Sequence, residues 1–470
     1  MFNHRLPEAD PALTARFLLA LRDNDAARAR DMLDTHPELA GSNIHSAAAV
    51  CDPSLVEAFL VDDVRLAISG YPSDGPEPLL YACHAGLQTL LRASERDRVR
   101  TVQLLLDAGA SANAFISIGL NSDDRLSALY FACVSNNVAV ARLLLERGAD
   151  PNDGESVYHA AELNHRDCLE LLVQHGADIS SAHAHWGNSP LYFLAGYKES
   201  DHRSATATAG MQWLLEHGAN PNVRSYAGAR EDGAPGVAET PLHRVATFGL
   251  NVAAARMLIE HGALVDMPRG DGRTAYVLAV RNGNLPVATY LADCGAQTES
   301  LTPVDRFLAA CLDANAHLAR ALLDTYPNLM SQLTAEDRQA MTLAVERESE
   351  TSVRLMFALG WKPSDESEWG GTPLHWAAWH GRVSMTRMLL DCGAPVNVRD
   401  STYGSSPLAW ASHGSTNSRP GSDADYIAIT EMLLAAGSTR AESYNKWGES
   451  PESMASVAVA EVLKARGFAT

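Results

Sequence analysis

Apolar and polar positions along this chain follow a helical period, and the pattern restarts at near-regular intervals. In Thr372–Ala394, TPLHWAAWHGRVSMTRMLLDCGA, a Thr-Pro pair opens a short run containing the small residues Ala377 and Ala378. A polar turn follows, and a second run ends on a Leu-Leu pair and a Gly. The same layout returns in TPLHRVATFGLNVAAARMLIEHGA from Thr240, TAYVLAVRNGNLPVATYLADCGA from Thr274, SALYFACVSNNVAVARLLLERGADPN from Ser127 and ESVYHAAELNHRDCLELLVQHGADI from Glu155. Each copy predicts a pair of helices. Thr or Ser caps the first helix, and Pro sits in its first turn, where the missing N–H costs nothing. Small residues let neighbouring helices approach closely. The Leu pair supplies the apolar stripe of the second helix, and Gly ends it in the left-handed conformation. A pair this short is marginal alone, so the copies must stack and share a core.

A first helix opening on T-P-L-H-x-A, recurring about every 33 residues, resembles the ankyrin repeat, and the likeness covers nearly the whole chain. The resemblance implies an all-α solenoid of helix-turn-helix units, curved, with a concave face. About thirteen units fit the period. The first, near Ala12, and the last, SYNKWGESPESMASVAVAEVLKARG, read as caps. Four insertions, at 87–98, 198–210, 225–239 and 414–425, carry Gly, Ser, Asp and Pro and read as surface loops. Arg16–Leu39 aligns without gaps to Arg306–Leu329 with 13 of 24 positions identical, so a cap-like unit recurs near residue 300. Two sub-arrays are therefore expected, 1–299 and 300–470, continuous with each other or meeting at a bend.

The formal charge of −20 and the absence of any run of basic residues argue against nucleic acid, whose binding requires Lys and Arg to neutralise phosphates. No apolar run approaches the ~20 residues of a membrane span. The opening MFNHRLPEADP lacks a basic start followed by an apolar stretch, so a cytoplasmic location is expected. The seven cysteines form no CxxC pair. Cys83, Cys133 and Cys311 share one repeat position and read as small core residues, a usage that suits a reducing compartment. The Ala/Arg-rich, Lys-poor composition is of bacterial style.

In the family resembled, partners bind along the turn tips and the exposed flank of the first helix. The position after the small pair holds His84, Val134, Glu162, Gly196, Thr247, Arg281, Leu312, Glu346, Trp379 and His413 in successive units. The turn position before the fixed Gly holds Trp186, Asp271, Trp369, Tyr403 and Trp447. Glu346, Trp379, His380 and His413, with Trp369, Tyr403 and Trp447 beside them and Trp186 further back, are the candidate binding residues. Aromatic anchors among a few polar groups suit both protein hot spots and small-ligand pockets. Turn-tip rings also fit a purely structural ladder, so both readings stay open. His375 and His243 of the TPLH motif are expected to hydrogen-bond between turns, and Trp376 and Trp410 to pack in the core.

As a catalytic alternative, Glu346, His413 and Asp400 offer a carboxylate and an imidazole for general acid–base work, as do Glu162, His159 and Tyr158. HGS at His413–Ser415 has no nucleophile elbow, and GxGxxG is absent. His183, His185 and His202 lack a zinc spacing, so neither metal nor cofactor is expected. The expected function is an interaction module for another protein. An enzyme or small-molecule receptor of the same fold, and a self-associating scaffold, are the alternatives.

Overall fold

Helix starts coincide with the hydroxyl positions read from the sequence. In the computed structural model of the chain, which describes residues 10–22, 25–72, 75–84, 93–117, 125–183, 187–197, 203–228, 236–248, 252–367, 370–417 and 421–468, Ser127, Ser189, Thr274, Thr302, Thr334 and Ser422 each accept a backbone N–H of the first helical turn. At Thr302, Thr334 and Ser422 an Asp three residues on returns the bond, completing a capping box. Second helices end at glycines in the left-handed region, such as Gly295 (φ 90°), Gly360 (φ 101°) and Gly437 (φ 100°). The two segments matched within the sequence end alike, without a glycine. His36 (φ −133°, ψ 72°) and Tyr326 (φ −125°, ψ 78°) close their helices in closely similar non-helical conformations, because the following Pro disfavours the helical region for the residue before it.

Among the described residues seven helix pairs lie before residue 273 and six after it. The chain divides into two compact units, Met1–Arg273 and Thr274–Thr470. The division falls one helix pair before the expected 299/300. Arg281 supplies a reason: its guanidinium bonds Asp305 (3.0 Å) and Asp337, and all three side chains are buried. The pair that begins at Thr274 is thereby tied to the two pairs that follow it. Asp305 and Asp337 occupy the position that His243 and His375 hold in TPLH.

The cores are those of stacked pairs. In the second unit Phe307, Ala310, Ala344, Val353, Ala377, Ala378, Leu389, Leu408 and Ile429 form one buried cluster. Cys83, Cys133 and Cys311 are fully buried, as small core residues. Neighbouring turns are stapled by asparagines. The Asn397 side chain donates to Gly437 O (2.9 Å) and accepts from Thr439 N (3.1 Å). Asn113, Asn152 and Asn222 make the same two bonds to their next turns. His375 accepts from or donates to Thr372 through Nδ1 and meets Ser405 O through Nε2 (3.0 Å), and His243 does the same with Thr240 and Arg273 O. This is the inter-turn bonding expected of TPLH.

Two details differ from the sequence reading. A short antiparallel hairpin pairs Phe115–Ser117 with Arg125–Ser127. The insertions are also partly helical, because Ser94 and Ser422 act as caps within them and start the helices Glu95–Asp107 and Asp423–Ala435 early. Helix Ser204–Glu216 likewise runs through part of 198–210, and helix Pro407–Asn417 enters 414–425 from the other side.

Candidate functional site

Three successive turns of the second unit each place a polar residue shortly before an aromatic-Gly or Gly-Gly step. Each of these residues acts as a hub. Ser367 bonds Gly371 O and accepts the indole N–H of Trp376 (2.9 Å). Asp400 accepts from the backbone of Thr402 (2.9 Å), Tyr403 and Ser405 (2.8 Å), and from the Trp410 indole N–H (3.0 Å). Asn445 accepts from Trp447 N (3.1 Å) and Glu449 N (2.9 Å) and donates to the Glu449 carboxylate (2.6 Å). Lys446 N donates to Tyr403 O (2.9 Å), joining the second and third turns. The hubs fix where the rings stand, and Ser367 and Asp400 satisfy the indole N–H groups of Trp376 and Trp410 that burial would otherwise orphan.

The result is an aromatic cavity of about 630 Å³, lined by Trp376, Trp379, Tyr403, Trp410, His413 and Trp447 with Asn445, Glu449, Thr416 and Ser453 around them. Trp410 is only 7% exposed, whereas Trp447 is 52% exposed. Trp410 crosses Trp376 at 75° (centroids 5.2 Å apart), Trp379 at 74° (6.0 Å) and Tyr403 at 62° (6.2 Å). Trp379 meets the His413 ring edge-on at 5.2 Å. Close helix approach sets this last pair: a Cβ on Gly414 would stand 2.4 Å from Trp379 O. Burial pushes the His413 imidazole below its ordinary range, against the opposing charge of Glu449. Burial, aided by Asp400, raises the Tyr403 phenol.

Of the expected binding residues, Trp379, Tyr403, His413 and Trp447 therefore come together in one cavity. Trp369 and Trp186 lie outside the described residues. Trp410 is buried and Trp376 packs against the core cluster, as expected, and both also line the cavity, where Ser367 and Asp400 hold their indole N–H groups. The catalytic grouping does not assemble. Glu346 pairs with His380 (3.5 Å), Asp400 is the buried turn hub, and neither lines the cavity that His413 borders. His380 stacks on Trp376 at 5.8 Å from outside the cavity lining.

The second proposed acid–base group is a closed ion network in the first unit. Glu162 is buried and bonded to His159 (2.8 Å), Arg203 (2.6 Å) and Tyr197, and His159 also pairs with Glu155 (3.2 Å). Burial alone would lower the His159 pKa, but the hydrogen bonds to Glu155 and Glu162 outweigh it and raise it to about 9. Burial would raise Glu162, but its three donors hold it at about 2. Both groups are therefore charged at neutral pH, an imidazolium and a carboxylate that neutralise each other within the network. His183 lies 3.6 Å from Glu155, and His185 and His202 are outside the described residues.

A family model for ankyrin repeats (3 copies) matches residues 44–155, 90–183, 204–301 and 307–400, well over half the chain. The chain belongs to the ankyrin-repeat family. It is an all-α ankyrin-repeat solenoid, and such repeats in general mediate protein–protein interaction. This ankyrin-repeat chain is similar to ankyrin repeat domain-containing protein SAT10 of Stachybotrys chartarum, 23% identical over 344 residues, covering 70% of this chain and 17% of that protein. It is similar to human transient receptor potential cation channel subfamily A member 1, 20% identical over 434 residues, covering 76% of this chain and 37% of that protein. Human Rabankyrin-5 is 26% identical over 233 residues, 49% of this chain and 18% of that protein. The chain thus spans between 17% and 37% of the length of these relatives. Among solved structures, the human ASB11 ankyrin repeat domain is 23% identical and covers 53% of this chain and 96% of that one, with a TM-score of 0.37. Among the described residues no helix is long and apolar enough to cross a membrane.

Proposed function

We propose that this ankyrin-repeat chain is a protein-interaction module whose docking surface is the aromatic cavity of the Thr274–Thr470 unit. One observation carries the reading: five large rings, Trp376, Trp379, Tyr403, Trp410 and Trp447, line a common space of about 630 Å³. Indoles at interfaces combine large apolar area with little rotamer freedom to lose, and they dominate measured hot spots. Polar groups of Asn445, Thr416 and Ser453 border the rings, as the rim of an interface does.

Affinity capture by the full chain, run beside Trp447→Ala, tests this. Trp447 is half exposed, so the variant should keep its stability to within about 1 kcal/mol and lose a captured protein. Recovery of every captured protein unchanged overturns the proposal. The cavity volume also falls in the range of small-ligand sites, roughly 300–1,000 Å³, which supports a small-molecule receptor as the second reading. It predicts a ligand retained by the chain after gel filtration and absent from Trp447→Ala.

A further inference from the structure

We propose that the aromatic cavity takes an uncharged saccharide, a pyranose ring laid flat on an indole with its hydroxyls turned to His413, Asn417 and Glu449; this rests on the small-molecule reading of that cavity. The polar atoms that the chain leaves unspent carry the argument. The Asn445 amide donates to Glu449 Oε2 (2.6 Å), and among the described residues no donor bonds Oε1. The Asn417 amide donates to His413 O (3.1 Å) and Thr416 Oγ1 (2.8 Å), and its Oδ1 takes no bond among the described residues. The His413 ring makes no hydrogen bond among them either. Burial keeps that ring neutral near pH 7, so one nitrogen accepts and the other donates. The rim therefore offers three acceptors and one donor. His413 and Asn417 stand four residues apart on the helix Pro407–Asn417 and share one of its faces, while Glu449 belongs to the third turn.

That set sorts the occupants. A phosphate or carboxylate finds no Lys or Arg in the lining and meets Glu449 instead. A purely apolar ring covers the Glu449 and Asn417 oxygens without pairing them and incurs the desolvation cost of both. A single donor group cannot serve acceptors held on separate elements. Vicinal hydroxyls bring several donors spread around a ring, each able to accept as well, and those that reach the Glu449 carboxylate form charge-assisted bonds.

The other walls call for carbon. The indole N–H groups of Trp376 and Trp410 are spent on Ser367 and Asp400, so these rings have only carbon surface to offer. An aromatic face is negative and attracts slightly positive C–H groups. A pyranose with equatorial hydroxyls presents axial C–H bonds on its face and keeps its hydroxyls at its edge. Trp379 and the His413 ring adjoin at 81° with centroids 5.2 Å apart, so apolar surface and a polar ring meet at a corner. A sugar is apolar and polar across the same right angle. The volume of about 630 Å³ leaves room for a second ring beside half-exposed Trp447.

The test titrates the full chain with cellobiose, whose β-linked glucose rings carry equatorial hydroxyls. Sorbitol, which keeps the hydroxyls without the flat face, and cyclohexanol, which keeps a ring without the hydroxyl array, are the comparators. Calorimetry and saturation-transfer NMR read binding. Saturable cellobiose binding, tighter than either comparator by roughly tenfold, is expected, with transfer strongest at the axial C–H protons. Glu449→Gln should weaken it by roughly tenfold, as loss of a charge-assisted bond does, and Asn417→Ala by several-fold, with wild-type circular dichroism in both. Sorbitol or cyclohexanol bound as tightly as cellobiose overturns the proposal, as do absence of saturation at tens of millimolar cellobiose and binding unchanged in both variants. A ligand of another class retained through gel filtration overturns the saccharide and leaves the receptor reading standing. A captured protein lost in Trp447→Ala, with no cellobiose binding, removes the saccharide and leaves the docking surface standing.

Discussion

Acidification should weaken the second unit through His375. Its imidazole is fully buried between Thr372 and Ser405 O, and burial pushes its pKa down to about 4. In the unfolded chain the ring takes a proton near 6.5, whereas in the native state it resists protonation until about pH 4. The native state therefore binds fewer protons in this window. The contribution is fully present above about pH 6.5 and is withdrawn as pH falls towards 4. A difference of roughly 2.5 units at about 1.4 kcal/mol each gives roughly 3 kcal/mol, a large fraction of the ~5–15 kcal/mol that stabilises an ordinary domain. His375→Gln keeps a polar group against Thr372 and removes the titration. Guanidinium unfolding read by tryptophan fluorescence suits the comparison, because Trp361, Trp369, Trp376, Trp379, Trp410 and Trp447 all belong to this unit. At pH 7 the wild type should be the more stable, and the gap should close or reverse by about 3 kcal/mol near pH 4. Wild-type and variant curves that run parallel from pH 7 to 4 would refute the reasoning.

Arg281→Leu leaves Asp305 and Asp337 buried without their cation and should cost about 3–5 kcal/mol, measured by the same unfolding; a loss under about 1 kcal/mol would mean that the triad contributes little. Asn397→Ala removes one donor and one acceptor between neighbouring turns and should cost about 1–3 kcal/mol, with faster amide exchange at Thr439. Gly414→Ala forces a carbon against Trp379 O and should destabilise by about 1–3 kcal/mol while shifting the Trp379 indole N–H resonance.

The helix pairs, their caps and the terminating glycines were legible because each follows from one residue and its immediate neighbours. Thr302, Thr334 and Ser422 cap as their hydroxyls and following Asp residues dictate. The site was only half legible. Trp379, Tyr403, His413 and Trp447 stand out by repeat position, but Trp376 and Trp410 occupy the slot that Phe131 and Phe193 fill elsewhere. Their place at the cavity depends on Ser367 and Asp400, which anchor the indole N–H groups, and that partnership is set by the fold of the turn. Equivalent positions also diverged. Arg281, Glu346 and Trp379 share one slot, yet Arg281 is buried on two Asp side chains, Glu346 meets His380, and Trp379 walls the cavity. What each side chain does is decided by its neighbour in the next repeat. The TPVD and TAED variants of the motif were the available signal, because they put carboxylates where TPLH puts imidazole.

Photo-crosslinking reads the docking surface directly. A benzophenone side chain placed at position 447, and separately at exposed Leu318 of the same unit, should give a protein adduct from 447 alone when irradiated in cells expressing the chain. An adduct from 318 with none from 447 would contradict the assignment of the aromatic cavity.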